Sequence, residues 1–339
     1  MGSVHAARSP LPPRVGARHG QEEEVAWSPH AWARQYRGCY LPELASPKVR
    51  APIPSDAWEH APSTPVRLAL VLASPALSEQ SARWLVGQLP ALEDAALVHA
   101  ACVAPLSAQL PPALHEEARA GARQRLMQLV EMSPQVMQPR LLLLWAEAPE
   151  WAALSQRELE ALEGIMVLPT WKDTSFTRTF LEARTNLNEA GIPNPGEGAF
   201  AVALWSNTHW ATFLLMKRAE STRSQLLPAA RHRLGRILWN IGARLNQQST
   251  VLERMTGFQL MVAGATDMGD GVERERVHRE MSAASELFNT AAQAGLERWP
   301  LPSLWEEVAE ARARGEWDHL RELAGLSDGS AAGSQPGEP

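Results

Sequence analysis

Residues 226–247 read LLPAARHRLGRILWNIGARLNQ. Leu234, Ile237, Leu238, Ile241 and Leu245 recur at i, i+3, i+4, i+7 and i+11, the spacing that gathers apolar side chains on one face of an α-helix. Pro228 suits the first turn, where its missing N–H has no intrahelical partner to lose. Arg233, Arg236, Asn240 and Arg244 fall on the opposite face. The segment therefore predicts an amphipathic helix with an inward stripe and a basic outer side.

Outward from this helix the same signals recur. Segments 113–132, 175–190, 249–265 and 273–294 lack internal proline and read as helices. Ser155 with Glu158, Thr250 with Glu253 and Ser303 with Glu306 have the spacing of capping boxes, and the helix opened by Ser155 is expected to stop at Gly164. Two short apolar runs, VRLALVLA at 66–73 and RLLLLW at 140–145, fit a buried strand or a buried helix. Their Leu and Ala content favours helix, and no glycine-rich phosphate loop follows either run. The expected fold class is all-α, with a small α/β N-terminal half plus a helical C-terminal half as the alternative.

At roughly 150 residues per domain, 339 residues allow about two domains. Hydrophobic residues make up 45%, charged residues 21%, and the net charge is −6. That is globular composition, and it argues against a generally basic nucleic-acid-binding chain. Lys48, Lys172 and Lys217 are the only lysines, and the bias toward Ala, Arg and Pro resembles that of a GC-rich bacterial genome. Cys39 and Cys102 form neither a C-x-x-C pair nor a tetrahedral metal set, so two reduced thiols and a cytoplasmic location are expected. Met1–Gln21 has no apolar core of a signal peptide. This segment and the Gly/Ser/Pro-rich 327–339 are expected to be disordered tails. Trp32, Tyr36 and Tyr40 line one face of a short helical segment. The uncharged run Gly198–Met216 carries Ser206, Asn207, Thr208 and His209 at its middle, which suits a buried helix and not a bilayer span.

LVLASPALSEQSARWL at 70–85 is loosely similar to ALWSNTHWATFLLMKR at 203–218, and each is followed by Leu-Pro-Ala, at 89–91 and 227–229. The order apolar helix, Leu-Pro, second helix divides the chain into two loosely similar helical halves, 22–165 and 166–326, with a boundary in GIMVLPTWKD at 164–173.

The stretch FLEARTNLNEAGIPNPGEGAFAVALWSNTHWATFLLMKR, 180–218, resembles the second half of the DehI-type 2-haloacid dehalogenases, and more widely the AhpD/carboxymuconolactone decarboxylase helical fold. The resemblance implies an all-helical protein of two similar halves with a site between them. The dehalogenases use an aspartate near the start of this apolar helix to activate water. Here the stretch reads Pro195-Gly196-Glu197-Gly198-Ala199, with Glu197 the nearby carboxylate, and the Cys-x-x-Cys of the AhpD-type enzymes is absent.

Glu197 and His209 are accordingly the candidate catalytic residues, with Asn207, Trp205 and Trp210 as candidate ligand-binding residues. A carboxylate at a helix N-terminus is held ionised by the helix dipole and can act as a general base on water. Polar groups on an apolar helix need partners, which a pocket supplies. Glu275-x-x-His278 and Glu316-x-x-His319 have metal-ligand spacing, but no matching glutamates accompany them, so no metal and no cofactor are expected. Asp267-Met268-Gly269-Asp270-Gly271 lacks the ligand spacing of an EF-hand and reads as a solvated turn. The basic stretch 217–244, with Lys217, Arg218, Arg223 and Arg231 besides the face above, reads as solvated and paired with acids such as Glu273, Glu275 and Glu280, in preference to nucleic-acid phosphates. Two functions fit this reading. One is a small-molecule-binding, hydrolytic helical protein with its site between the halves and a small organic ligand as partner. The other is a non-catalytic bacterial interaction or regulatory protein that has lost the family's chemistry.

Overall fold

The computed structural model describes residues 53–74, 77–93, 96–107, 110–147, 152–206, 209–298 and 305–325. The expected tails, Cys39, the Trp32/Tyr36/Tyr40 segment and Ser303 lie outside these residues. Among the described residues there are thirteen α-helices and no β-strand, so the all-α class holds. In chain order they are α1 (Thr64–Ala73), α2 (Glu79–Gln88), α3 (Val98–Ser107), α4 (Pro112–Met132), α5 (Met137–Glu147), α6 (Gln156–Met166), α7 (Phe176–Glu189), α8 (Pro195–Trp205), α9 (His209–Arg223), α10 (Pro228–Asn246), α11 (Val251–Met268), α12 (Gly271–Arg298) and α13 (Trp305–Leu323).

Both ambiguous apolar runs are helical. The run 66–73 lies in α1, opened by Ser63, whose side chain accepts from the Val66 N–H, and by Pro65 in the first turn. Apolar from Leu68 onward, α1 is largely buried, with Val66, Leu68, Ala69, Leu70, Val71 and Leu72 in the core. Its neighbour α3 contributes Ala100, Ala101, Cys102, Val103 and Ala104. The run 140–145 lies in α5, whose first amide groups find acceptors outside the helix. Met137 N–H donates to Thr170 C=O and Gln138 N–H to Trp171 C=O, each at 2.9 Å. Residues 170 and 171 are thus fastened to α5.

The capping box at Ser155 and Glu158 forms as the spacing predicts, but α6 runs through Gly164 to Met166. No positive φ occurs at Gly164 to end the helix. The run Gly198–Met216, expected as one buried helix, is two, because α8 ends at Trp205 and α9 begins at His209. Ser206 causes part of this break, its hydroxyl donating to the Ala203 carbonyl at 2.6 Å, while the Gln138 side-chain amide of α5 donates to the Ser206 carbonyl. No described helix is long and apolar enough to cross a membrane. The stretches 70–85 and 203–218 each span a helix end, a break and a helix start, and they meet where Trp205 Nε1 donates to Leu72 C=O at 3.1 Å. The two Leu-Pro-Ala sequences differ, the first forming a 3-10 turn and the second opening α10.

In α10 the stripe of Leu234, Ile237, Leu238, Ile241 and Leu245 is buried throughout. Beside it run Gly235 and Gly242, facing Gly264 and Gly257 of the antiparallel α11. A Cβ on Gly242 would lie 2.7 Å from the Gly257 carbonyl oxygen, and one on Gly235 2.7 Å from that of Gly264. Only glycine permits this approach, so the two backbones touch at two places seven residues apart.

Candidate functional site

Of the five residues expected at the site, Asn207 lies outside the described residues, as do the side chains of His209 and Trp210. Glu197 sits half-buried in the first turn of α8, after Asn194 in the left-handed region (φ 54°) and Pro195. Trp205 ends the same helix, its indole N–H committed to Leu72. Eight residues at a 1.5 Å rise separate Glu197 from Trp205 by about 12 Å along the axis, so these two lie at opposite ends of α8. Between them Phe200 meets Phe176 of α7 edge-on, ring centroids 5.1 Å apart, and carries the Arg312 guanidinium of α13 over its face at 4.3 Å.

A second polar group lies in the interior, where α3 and α4 meet the segment 171–173. His99 of α3 is only 2% exposed, and neither ring nitrogen has a hydrogen-bond partner. The Trp171 indole N–H is also buried without one. Lys172 forms an ion pair with Glu253 of α11 at 2.7 Å, with side chains 6% and 1% exposed. Thr250 donates to the other oxygen of Glu253 at 2.8 Å. At the exposed edge of this group Asp173 accepts from Ser133 at 2.9 Å. Arg125 of α4 donates to Gln128 at 2.7 Å. Burial pushes the His99 imidazole down to about 4; Asp173 opposes this, while the positive charges of Lys172 and Arg125 reinforce it. At neutral pH the ring is uncharged and presents one donor and one acceptor. Cys102, one turn further along α3, is a free buried thiol pushed up to about 12 by burial, with Arg125 opposing, and is therefore no nucleophile.

The basic stretch is organised differently from expectation. Glu273 and Glu280 pair with Arg276, and Glu275 with Arg279, all within α12. Arg233 instead forms a two-pronged pair with Glu163 of α6, Nη2 to Oε2 at 2.6 Å. Arg223 and Arg231 converge on Asp267 at 2.7 and 3.1 Å. Asp267 is thus a buried junction joining α9, α10 and α11, not part of a solvated turn. Arg218 is fully buried, donating to the Ala152 carbonyl at 2.8 Å, paired with Glu158 at 2.7 Å and lying over Trp145 at 4.9 Å. Among the described residues no group of three His, Cys, Asp or Glu side chains is placed to hold a metal ion. Glu316 of the second Glu-x-x-His pair accepts from the Val251 N–H at 2.9 Å and pairs with Arg312.

Compared with known proteins, the chain matches no family model, no curated protein and no solved structure.

Sequence reading missed the His99 group. Its trace is a single histidine in the apolar run ALVHAACVAP and one of three lysines placed in the boundary segment TWKD.

Proposed function

We propose that the chain is a cytoplasmic, small-molecule-binding helical protein whose site lies between its two halves, in the interior bounded by α3, α4 and residues 171–173. The observation that carries this reading is His99, fully enclosed with both ring nitrogens unpartnered. A buried polar group left unsatisfied costs about 1–3 kcal/mol, and a molecule that pairs with the imidazole recovers that cost. The commitment of Arg218, Arg223, Arg231 and Arg233 to carboxylates supports a small ligand over nucleic-acid phosphates. A hydrolytic function adds one requirement: Glu197 must reach the bound molecule as general base.

A fragment library of small organic molecules, screened by thermal shift and ligand-observed NMR, tests the reading. Binders should raise the melting temperature of the wild type and lose affinity at least tenfold in His99→Leu. Binding that survives His99→Leu unchanged would refute the site. For any turnover found, Glu197→Gln should abolish it with binding retained.

A second reading, a non-catalytic interaction protein, draws on α12. Its Val272 and Phe288 are 80% and 43% exposed, and Met281, Ser285 and Asn289 line an open groove of 460 Å³ along it.

A further inference from the structure

The His99 interior is unbalanced both in hydrogen-bonding groups and in charge. Arg125 of α4 acts electrostatically on His99 and on Cys102, which lie three residues apart on one face of α3, so its guanidinium lies along that face. Residues 170–173 adjoin it, tied to the start of α5 through the Thr170 and Trp171 carbonyls and to Ser133, just past α4, through Asp173. Three N–H groups here are buried without an acceptor. They are the Nε–H of Arg125, a residue 9% exposed, the indole N–H of Trp171, and one nitrogen of the neutral His99 ring. Against them stands one unused acceptor, the other nitrogen of the same ring. The charges lean the same way. Lys172 is neutralised by Glu253 at 2.7 Å. Asp173 stands at the exposed edge, in water. Arg125 donates to the neutral side chain of Gln128, and among the described residues it has no carboxylate partner. An arginine keeps its charge at any physiological pH, and a charge held in the interior without a counterion is costly.

We propose that the site takes a small organic monoanion, its charged, acceptor-rich end lying against Arg125 and Trp171 beside His99. This deepens, and rests on, the small-molecule function proposed above. One uncompensated positive charge calls for one negative charge, and three unused donors against one acceptor call for a ligand end rich in acceptors. Hydrogen bonds from a guanidinium to an anion are roughly twice as strong as neutral ones. A neutral molecule of the same shape leaves Arg125 without a counterion, and a cation is repelled by it.

Matched fragments on one skeleton test the class. Butanoate, butanamide and butylamine, and benzoate, benzamide and benzylamine, are titrated into the full chain at constant ionic strength and followed by ligand-observed NMR. In each skeleton that binds, the carboxylate should bind at least about tenfold tighter than the amide, and the amine should not compete with it. Arg125→Met should erase the preference for the carboxylate while leaving amide binding in place. Arg125→Lys, which keeps the charge, should retain more of the preference than Arg125→Met does. The ranking in the wild type needs no variant, so it decides the matter even where Arg125→Met does not fold. Fragments that depend on His99 yet bind as amide or amine at least as well as carboxylate would overturn the class and leave the site. A carboxylate preference that persists unchanged in Arg125→Met would do the same. The lack of any binder that depends on His99, whatever its charge, would remove the site and the class with it.

Discussion

In the α10–α11 hairpin two backbones touch; at α13 the described contacts run through side chains, charged, polar and apolar together. The hairpin places Gly235 and Gly242 against Gly264 and Gly257 with no room for a methyl group, while α13 meets its neighbours through the Arg184–Glu310 pair, Arg312 over Phe200 and the Trp317 ring. Close packing is indifferent to ionic strength and intolerant of added volume. A partly exposed ion pair tolerates substitution but answers to its solvent. One chain thus contains a joint made by backbone contact and a joint made by side chains.

The largest expected effect breaks the first joint. Gly242→Ala places a methyl group against the Gly257 carbonyl and should destabilise the protein by about 3 kcal/mol or more, read from urea midpoints, because overpacking against backbone has no flexible side chain to absorb it. A loss under about 1 kcal/mol would show that the hairpin opens readily, and the contrast with α13 would collapse.

The next effect concerns a group held by neither kind of joint. His99 is held neutral in the fold down to about 4, whereas an unfolded histidine takes up its proton near 6.5. As pH falls through that window the unfolded chain gains a proton that the folded chain does not, so stability drops, by up to about 3 kcal/mol once pH 4 is reached. Urea midpoints of wild type and His99→Leu, measured from pH 7 to 4, should diverge as acidity rises, the wild type losing stability that the variant keeps. Parallel curves would place a charged histidine in the core and contradict its burial.

Asp267 makes a joint of the second kind, a buried carboxylate with two partly exposed arginines. Asp267→Asn leaves both guanidinium groups in place and should cost about 2 kcal/mol, less than a fully buried pair because the arginines retain water. If 0.5 M NaCl lowers wild-type stability as much as this substitution does, the junction is held by charge that solvent reaches.

The smallest effect has the opposite sign. Nothing lies within 4 Å of a Cβ built on Gly164, inside α6, so Gly164→Ala should stabilise by about 0.5–1 kcal/mol through backbone entropy alone. The same substitution at Gly242 and at Gly164 thus isolates backbone contact from helix propensity.

The helices were legible because their signals are local. The α10 stripe, the Ser155 capping box and the Leu/Ala runs each declare themselves within a few residues, and even the glycine seam left a trace in the seven-residue spacing within each helix. The break after Trp205 was not legible, since it depends on a Gln138 amide sixty-eight residues away. Nor were the partners of the arginines, because Glu163 and Asp267 reach them only after α6 and α11 are packed. His99 was hidden for the same reason: an apolar neighbourhood in sequence does not reveal which charges fold around it. Glu197 and Trp205 were legible as residue types but not as a site, because sharing one helix does not make two side chains converge.

The hydrogen bonds from Met137 and Gln138 to Thr170 and Trp171 bear on how the chain is assembled in time. As the chain leaves the ribosome, the first turn of α5 is made some thirty residues before the carbonyls that will receive its amides. Thr179, whose hydroxyl donates to the Ala96 carbonyl just ahead of α3, arrives later still. The first amides of α5 therefore stay without these acceptors until residues 170 and 171 have been made.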